Sequence, residues 1–128
     1  MNYFITTNKN LMKIKLQGKI DNEQLELALI EFAKSITEEK QICVVDGKEL
    51  ENQLDLSAKY SIITALDSFG FQRGNVFYVA ANSPRDQLDI IENIAFNRGW
   101  RLYCFTTLEE TLAAAEEMYL KLNGSKVI

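Results

Sequence analysis

At 128 residues, 47% of them hydrophobic and 25% charged, the chain is sized for one globular domain with its own core, and it needs no disulfide or metal staple. Its 14 basic residues stand against 18 acidic ones, a net charge of −4. They are scattered singly, which excludes the dense phosphate neutralisation of a nucleic-acid binder and the basic patch of a protein held on anionic lipid. No basic-then-apolar leader opens the sequence, and no apolar run nears the ~20 residues of a bilayer span. A cytoplasmic protein that binds neither nucleic acid nor membrane is expected.

Residues 2–7 and 11–20 predict two strands joined by the polar turn Asn8-Lys9-Asn10. In the second, Met12, Ile14 and Leu16 alternate with Lys13, Lys15 and Gln17, a period of two that leaves one sheet face wet. Asp21 is placed to cap a helix reaching about residue 36, with Gln24 as its capping-box partner and Leu25, Ala28, Leu29, Phe32 and Ile36 as its buried stripe. The apolar run 42–45 predicts a central parallel strand, followed by a loop over 46–54 and a second helix from about 56 to 69, closed by Gly70 or Gly74.

Residues 76–80 predict the next buried strand. Ser83 then caps a third helix with Pro84 at its first position. Leu88, Ile91, Ile94 and Ala95 face inward, and Gly99 supplies the left-handed residue that ends the helix. A last strand over 102–105 leads through a Thr107/Glu110 capping box into a helix bearing Leu112, Ala115, Tyr119 and Leu122. One domain over 1–124 with a frayed tail at 125–128 is expected.

The order β-β-α-β-α-β-α-β-α calls for parallel pairing through crossover helices. The fold class is therefore α/β: a mostly parallel five-stranded sheet, an antiparallel edge strand at 2–7, and four helices in a β-α superhelix stacked largely on one face. An uncovered sheet face and an open edge predict self-association, with a homodimer the expected form.

The chain contains no histidine, which removes the commonest general base. There is no Cys-x-x-Cys and no Gly-rich phosphate loop. No catalytic residue, metal or cofactor is expected. Cys43 and Cys104 sit in separate apolar runs and read as small core residues. Asp46 follows a buried strand and opens an Asp-Gly dipeptide, so it reads as a turn residue bonding its own backbone. Only if Asp46, Glu49 and Asp55 converged in a cleft would a carboxylate-dependent enzyme follow. The strand aromatics Tyr3, Phe4, Phe77, Tyr78, Trp100, Tyr103 and Phe105 are assigned to the core, or to an interface where the sheet is thinly covered.

The opening hairpin, the three further β-α units and the stretch Cys43-Val44-Val45-Asp46 … Leu54-Asp55-Leu56-Ser57-Ala58 … Ile62-Ile63 resemble the STAS domain. That family includes anti-anti-sigma factors and the cytoplasmic tails of sulfate transporters. The segment from Asn97-Arg98-Gly99-Trp100 to Thr107-Leu108-Glu109-Glu110 is similar to a bacterial STAS-like subgroup. The resemblance implies a non-enzymatic regulatory module that docks a protein partner or small ligand near the start of the second helix.

In the anti-anti-sigma branch an Asp-Ser-Ser-Gly turn there carries a phosphorylated serine. Ser57 matches that serine and Asp55 the aspartate, with Asp46 nearby, whereas Leu56 replaces the first serine and Ala58 the glycine. From the residues alone, a plain helix cap at Asp55 or Ser57 is favoured over a phosphoswitch, because capping needs nothing beyond the helix itself. Because the subgroup also resembles lipid-transfer domains of the CRAL-TRIO kind, a carrier of a small lipid or other apolar ligand is the alternative. That alternative requires a cavity.

Overall fold

The computed structural model describes residues 1–8, 11–36 and 41–123; the expected turn residues Lys9 and Asn10 and the tail 125–128 lie outside them. The chain opens with β1 (Asn2–Asn8) and β2 (Leu11–Gly18), then α1 (Asn22–Ser35), β3 (Ile42–Leu50), α2 (Leu56–Thr64) and α3 (Leu66–Phe69). It continues through β4 (Val76–Ala80), α4 (Arg85–Asn97), β5 (Arg101–Phe105) and α5 (Leu108–Asn123). The strands lie in the order β1-β2-β3-β4-β5, with β1 antiparallel to β2 and every other pair parallel.

A strand order that never reverses steps the sheet one way. Crossovers of one hand therefore place their helices on one face. Ala28, Leu29 and Phe32 of α1, Ile62 and Ile63 of α2, Leu66 of α3 and Leu88, Ile91 and Ala95 of α4 pack there against Met12, Ile14, Leu16, Cys43, Phe77 and Cys104. Helix α5, the last described element, covers the opposite face, where Ala115 meets Ile42, Val44, Val76 and Tyr78. Lys13, Lys15 and Gln17 stay half-exposed on that second face of β2, and Lys15 pairs with Glu49 at 2.5 Å. The period of two in this strand thus reported coverage correctly.

Among the described residues there are five helices rather than four. The segment expected to be one helix breaks at Ala65 (φ −106°, ψ 5°). Before the break run Ile62, Ile63 and Thr64, β-branched residues that crowd a helical turn. Thr64 and Ser68 hydroxyls also donate to the carbonyls of Ser61 and Ala65, at 3.0 and 2.7 Å, a back-bonding pattern that bends helices.

Gly70 (φ 113°) closes α3 and Gly99 (φ 81°) follows α4, left-handed positions that disfavour a side chain. Asp21 Oδ1 accepts from the Gln24 N–H at 2.8 Å, while the Gln24 side chain turns to the N-terminal ammonium of Met1 instead of closing the box. Leu122, expected inside, is 36% exposed. No described helix is long and apolar enough to cross a membrane.

Candidate functional site

Strand β3 runs five residues beyond its expected end, so Asp46 lies within it, not after it. It is buried at 3% exposure between Lys15 and Ala80. Its Oδ1 accepts from the Lys48 N–H two residues on, at 3.1 Å, the backbone-bonding role that Asp-Gly suggested. Between the Lys15–Asp46 and Gln17–Glu49 pairs two residues of β3, Gly47 and Lys48, oppose one of β2, Leu16, so a bulge in β3 lets the strand continue past Asp46.

The three carboxylates do not converge. Glu49 pairs with Lys15 and accepts from Gln17 on the α5 face, and Asp55 caps α2. Among the described residues no three acidic, cysteine or histidine side chains gather to hold a metal.

At the start of α2 the roles of Asp55 and Ser57 separate. Asp55 is the N-cap, its Oδ1 accepting from the Ala58 N–H at 2.8 Å. Ser57, on the first turn, is exposed, as are Leu56 at 44% and Tyr60 at 41%. Leu56 and Tyr60 are four residues apart and so share one helix face, and Arg98 lies over the Tyr60 ring with its guanidinium 5.3 Å from the centroid. Asp55→Ala is expected to cost about 0.5–2 kcal/mol, and Ser57→Ala less than about 0.5 kcal/mol. Thermal melts of the two variants check this; equal losses would return a capping role to Ser57.

Behind that helix start lies a pocket of about 190 Å³. Val45, Val79 and Leu102, which face the helices from β3, β4 and β5, are only half-buried because they floor it. Leu29, Ile63 and Ile91 are among its walls. Polar groups gather at one end, beyond the C-terminal ends of β3 and β4. The Gln53 amide donates to the Asn82 carbonyl and accepts from the Ser83 hydroxyl, while Lys59 Nζ lies 3.4 Å from Gln53 Oε1 and 3.5 Å from Ser83 Oγ.

Ser83 was expected to cap α4; it does not. Pro84 holds the N-cap position without a side-chain bond, and Ser83, 5% exposed, turns into this cluster. Burial holds the Lys59 ammonium below the usual lysine range. Among the described residues no carboxylate lies within ion-pair distance of it. Sequence reading missed Lys59, although a signal was present: it falls three and four residues before Ile62 and Ile63, a lone lysine on the buried stripe of its helix.

Both cysteines are free and buried. Desolvation pushes each thiol up to about 12, which makes them poor nucleophiles. Glu92 accepts the Cys104 N–H at 2.7 Å while Arg85, bound to Glu92 and Asp89, donates to the Cys104 carbonyl, so this charged group fastens α4 to β5.

No family model matches the chain, and neither does any curated protein. Among solved structures it is similar to an anti-sigma factor antagonist from Mycobacterium paratuberculosis. The two share 16% identity at a TM-score of 0.56, over 90% of this chain and 93% of that one. The fold is the STAS-like one that the opening hairpin and the β-α order pointed to.

Proposed function

We propose that the protein is a non-enzymatic regulatory module that docks a protein partner on the first turns of α2. The observation that carries this reading is the exposed surface of Leu56, Ser57 and Tyr60 beside an N-cap that Asp55 already supplies. An exposed Leu56 beside the part of the Tyr60 ring that Arg98 leaves open favours a partner, and the Ser57 hydroxyl is left with no capping duty. A phosphate on Ser57 would meet free N–H groups and the positive end of the helix, so modification there alters docking without unfolding the domain. The STAS-like fold supports the same reading.

Affinity capture from the native cytoplasm with wild type, Leu56→Asp and Ser57→Asp tests it. A partner retained by wild type and lost by Leu56→Asp is expected, with Ser57→Asp changing recovery at unchanged melting temperature. Identical recovery by all three would overturn the surface. The open edge of β1 supports a homodimer as the resting form, which light scattering would refute by returning a monomer. A second reading, a carrier of a small apolar ligand, is favoured by the 190 Å³ pocket.

A further inference from the structure

Resting on that second reading, we infer that the pocket takes a small organic monoanion, a carboxylate with an apolar body of on the order of six to eight carbons, whose head accepts from the Lys59 ammonium at the pocket's polar end. Three observations converge on this chemistry. The first is size. An apolar cavity of roughly 150 Å³ admits benzene, so about 190 Å³ accommodates a single ring or a short acyl chain, and it falls below the roughly 300 Å³ where drug-sized sites begin.

The second is the lining. Val45, Val79 and Leu102 stand on β3, β4 and β5, where neighbouring Cys43, Phe77 and Cys104 are 0, 3 and 2% exposed. Beside these closely packed neighbours, the looser packing at Val45, Val79 and Leu102 falls where they meet the pocket.

The third is charge. Lys59 projects from the inner stripe of α2 to the polar end of the pocket and has amide and hydroxyl neighbours but no described carboxylate. A partly buried ammonium without a counter-ion is costly to the protein, and a bound anion supplies the missing charge. Lys59 has three N–H donors, and 3.4 and 3.5 Å contacts leave it weakly engaged. One cation matches one negative charge. The site lies beyond the C-terminal ends of β3 and β4, where α/β sheets hold ligands. Because Lys59 stands one turn after Leu56 on α2, an occupant here touches the same helix that presents the docking surface.

The test compares octanoate, below its micellar concentration, with octanol, a neutral molecule of the same length. Thermal shift and methyl NMR of Val79 and Leu102 are the readouts, on wild type, Lys59→Met and Val79→Phe. Octanoate is expected to bind wild type at least about tenfold more tightly than octanol, as hydrogen bonds to charged groups imply. Lys59→Met should erase that preference and leave octanol within about twofold; Val79→Phe, filling the floor, should weaken both.

A Lys59→Met protein that still prefers octanoate, or wild type that binds octanol as well as octanoate, overturns the anion inference while leaving an apolar ligand site standing. Binding of neither compound at the Val79 and Leu102 methyls overturns the carrier reading with it. A Val79→Phe variant that melts like wild type yet keeps full affinity would place the ligand elsewhere and overturn both.

Discussion

Phe32→Ala is expected to remove about 3–5 kcal/mol of stability, the range for deleting a buried phenyl ring. Phe32 is 0% exposed and begins a run of edge-to-face rings: 6.1 Å to Phe71, 5.0 Å on to Phe77 and 6.0 Å on to Trp100. Each ring is held by the next, so the hole left by Phe32 has no neighbour free to fill it. It also lies outside the pocket lining, so the cavity would be a new one. Phe96→Ala is the internal control, because Phe96 is 78% exposed and should change stability by less than about 0.5 kcal/mol. Urea denaturation compares them. A Phe32→Ala midpoint close to wild type would mean that α1 is not seated on the sheet through this ring.

The second large effect is alkaline. Cys43 and Cys104 have folded-state thiols raised from 9.0 to about 12 by burial. The folded state therefore holds both protons after the unfolded chain has released them. Their stabilisation is complete below pH 9 and is lost as pH climbs from 9 toward 12. At about 1.4 kcal/mol per unit, three units give each thiol up to about 4 kcal/mol, so the pair matches much of the roughly 5–15 kcal/mol that holds a domain together.

Tyr78, raised from 10.0 chiefly by desolvation, acts in the same sense above pH 10. Lys59 acts oppositely: its lowered value means stability rises with pH in the window below 10.5, a smaller contribution from a side chain nearer solvent. Urea midpoints are expected to fall steeply between pH 9 and 11 in wild type and more gently in Cys43→Ala/Cys104→Ala. Equal slopes in the two proteins would shift the cause from the thiols to the tyrosines.

Where sequence and structure agree, the deciding interactions are local. Asp21 three residues before Gln24, the alternation of Met12, Ile14 and Leu16, and Gly99 after α4 each determine a cap, a face or a turn from neighbouring residues alone. Where they part, a distant contact intervenes. Ser83 has the residue type and the following proline of a cap, yet Gln53, thirty residues earlier, offers its hydroxyl a different partner. Asp46 reads as lying just past a strand until the β3 bulge at Gly47 and Lys48 lets pairing extend to Leu50. Ser57 and Asp55 are equivalent caps by type, and only the backbone geometry assigns the role to Asp55.

By itself, then, the sequence determined the alternation of strands and helices apart from the break at Ala65, the parallel sheet, the polar face of β2 and the burial of both cysteines. Periodicity, capping chemistry and hydrophobicity act within a few residues and leave their record there. The pocket, the charged lysine at its end and the exposed face of α2 were decided only by tertiary structure. Val45, Val79 and Leu102 are ordinary strand residues in one dimension. They become a floor because α1, α2 and α4 cross the sheet without closing over them, and the gap between packed helices is a property of no single segment.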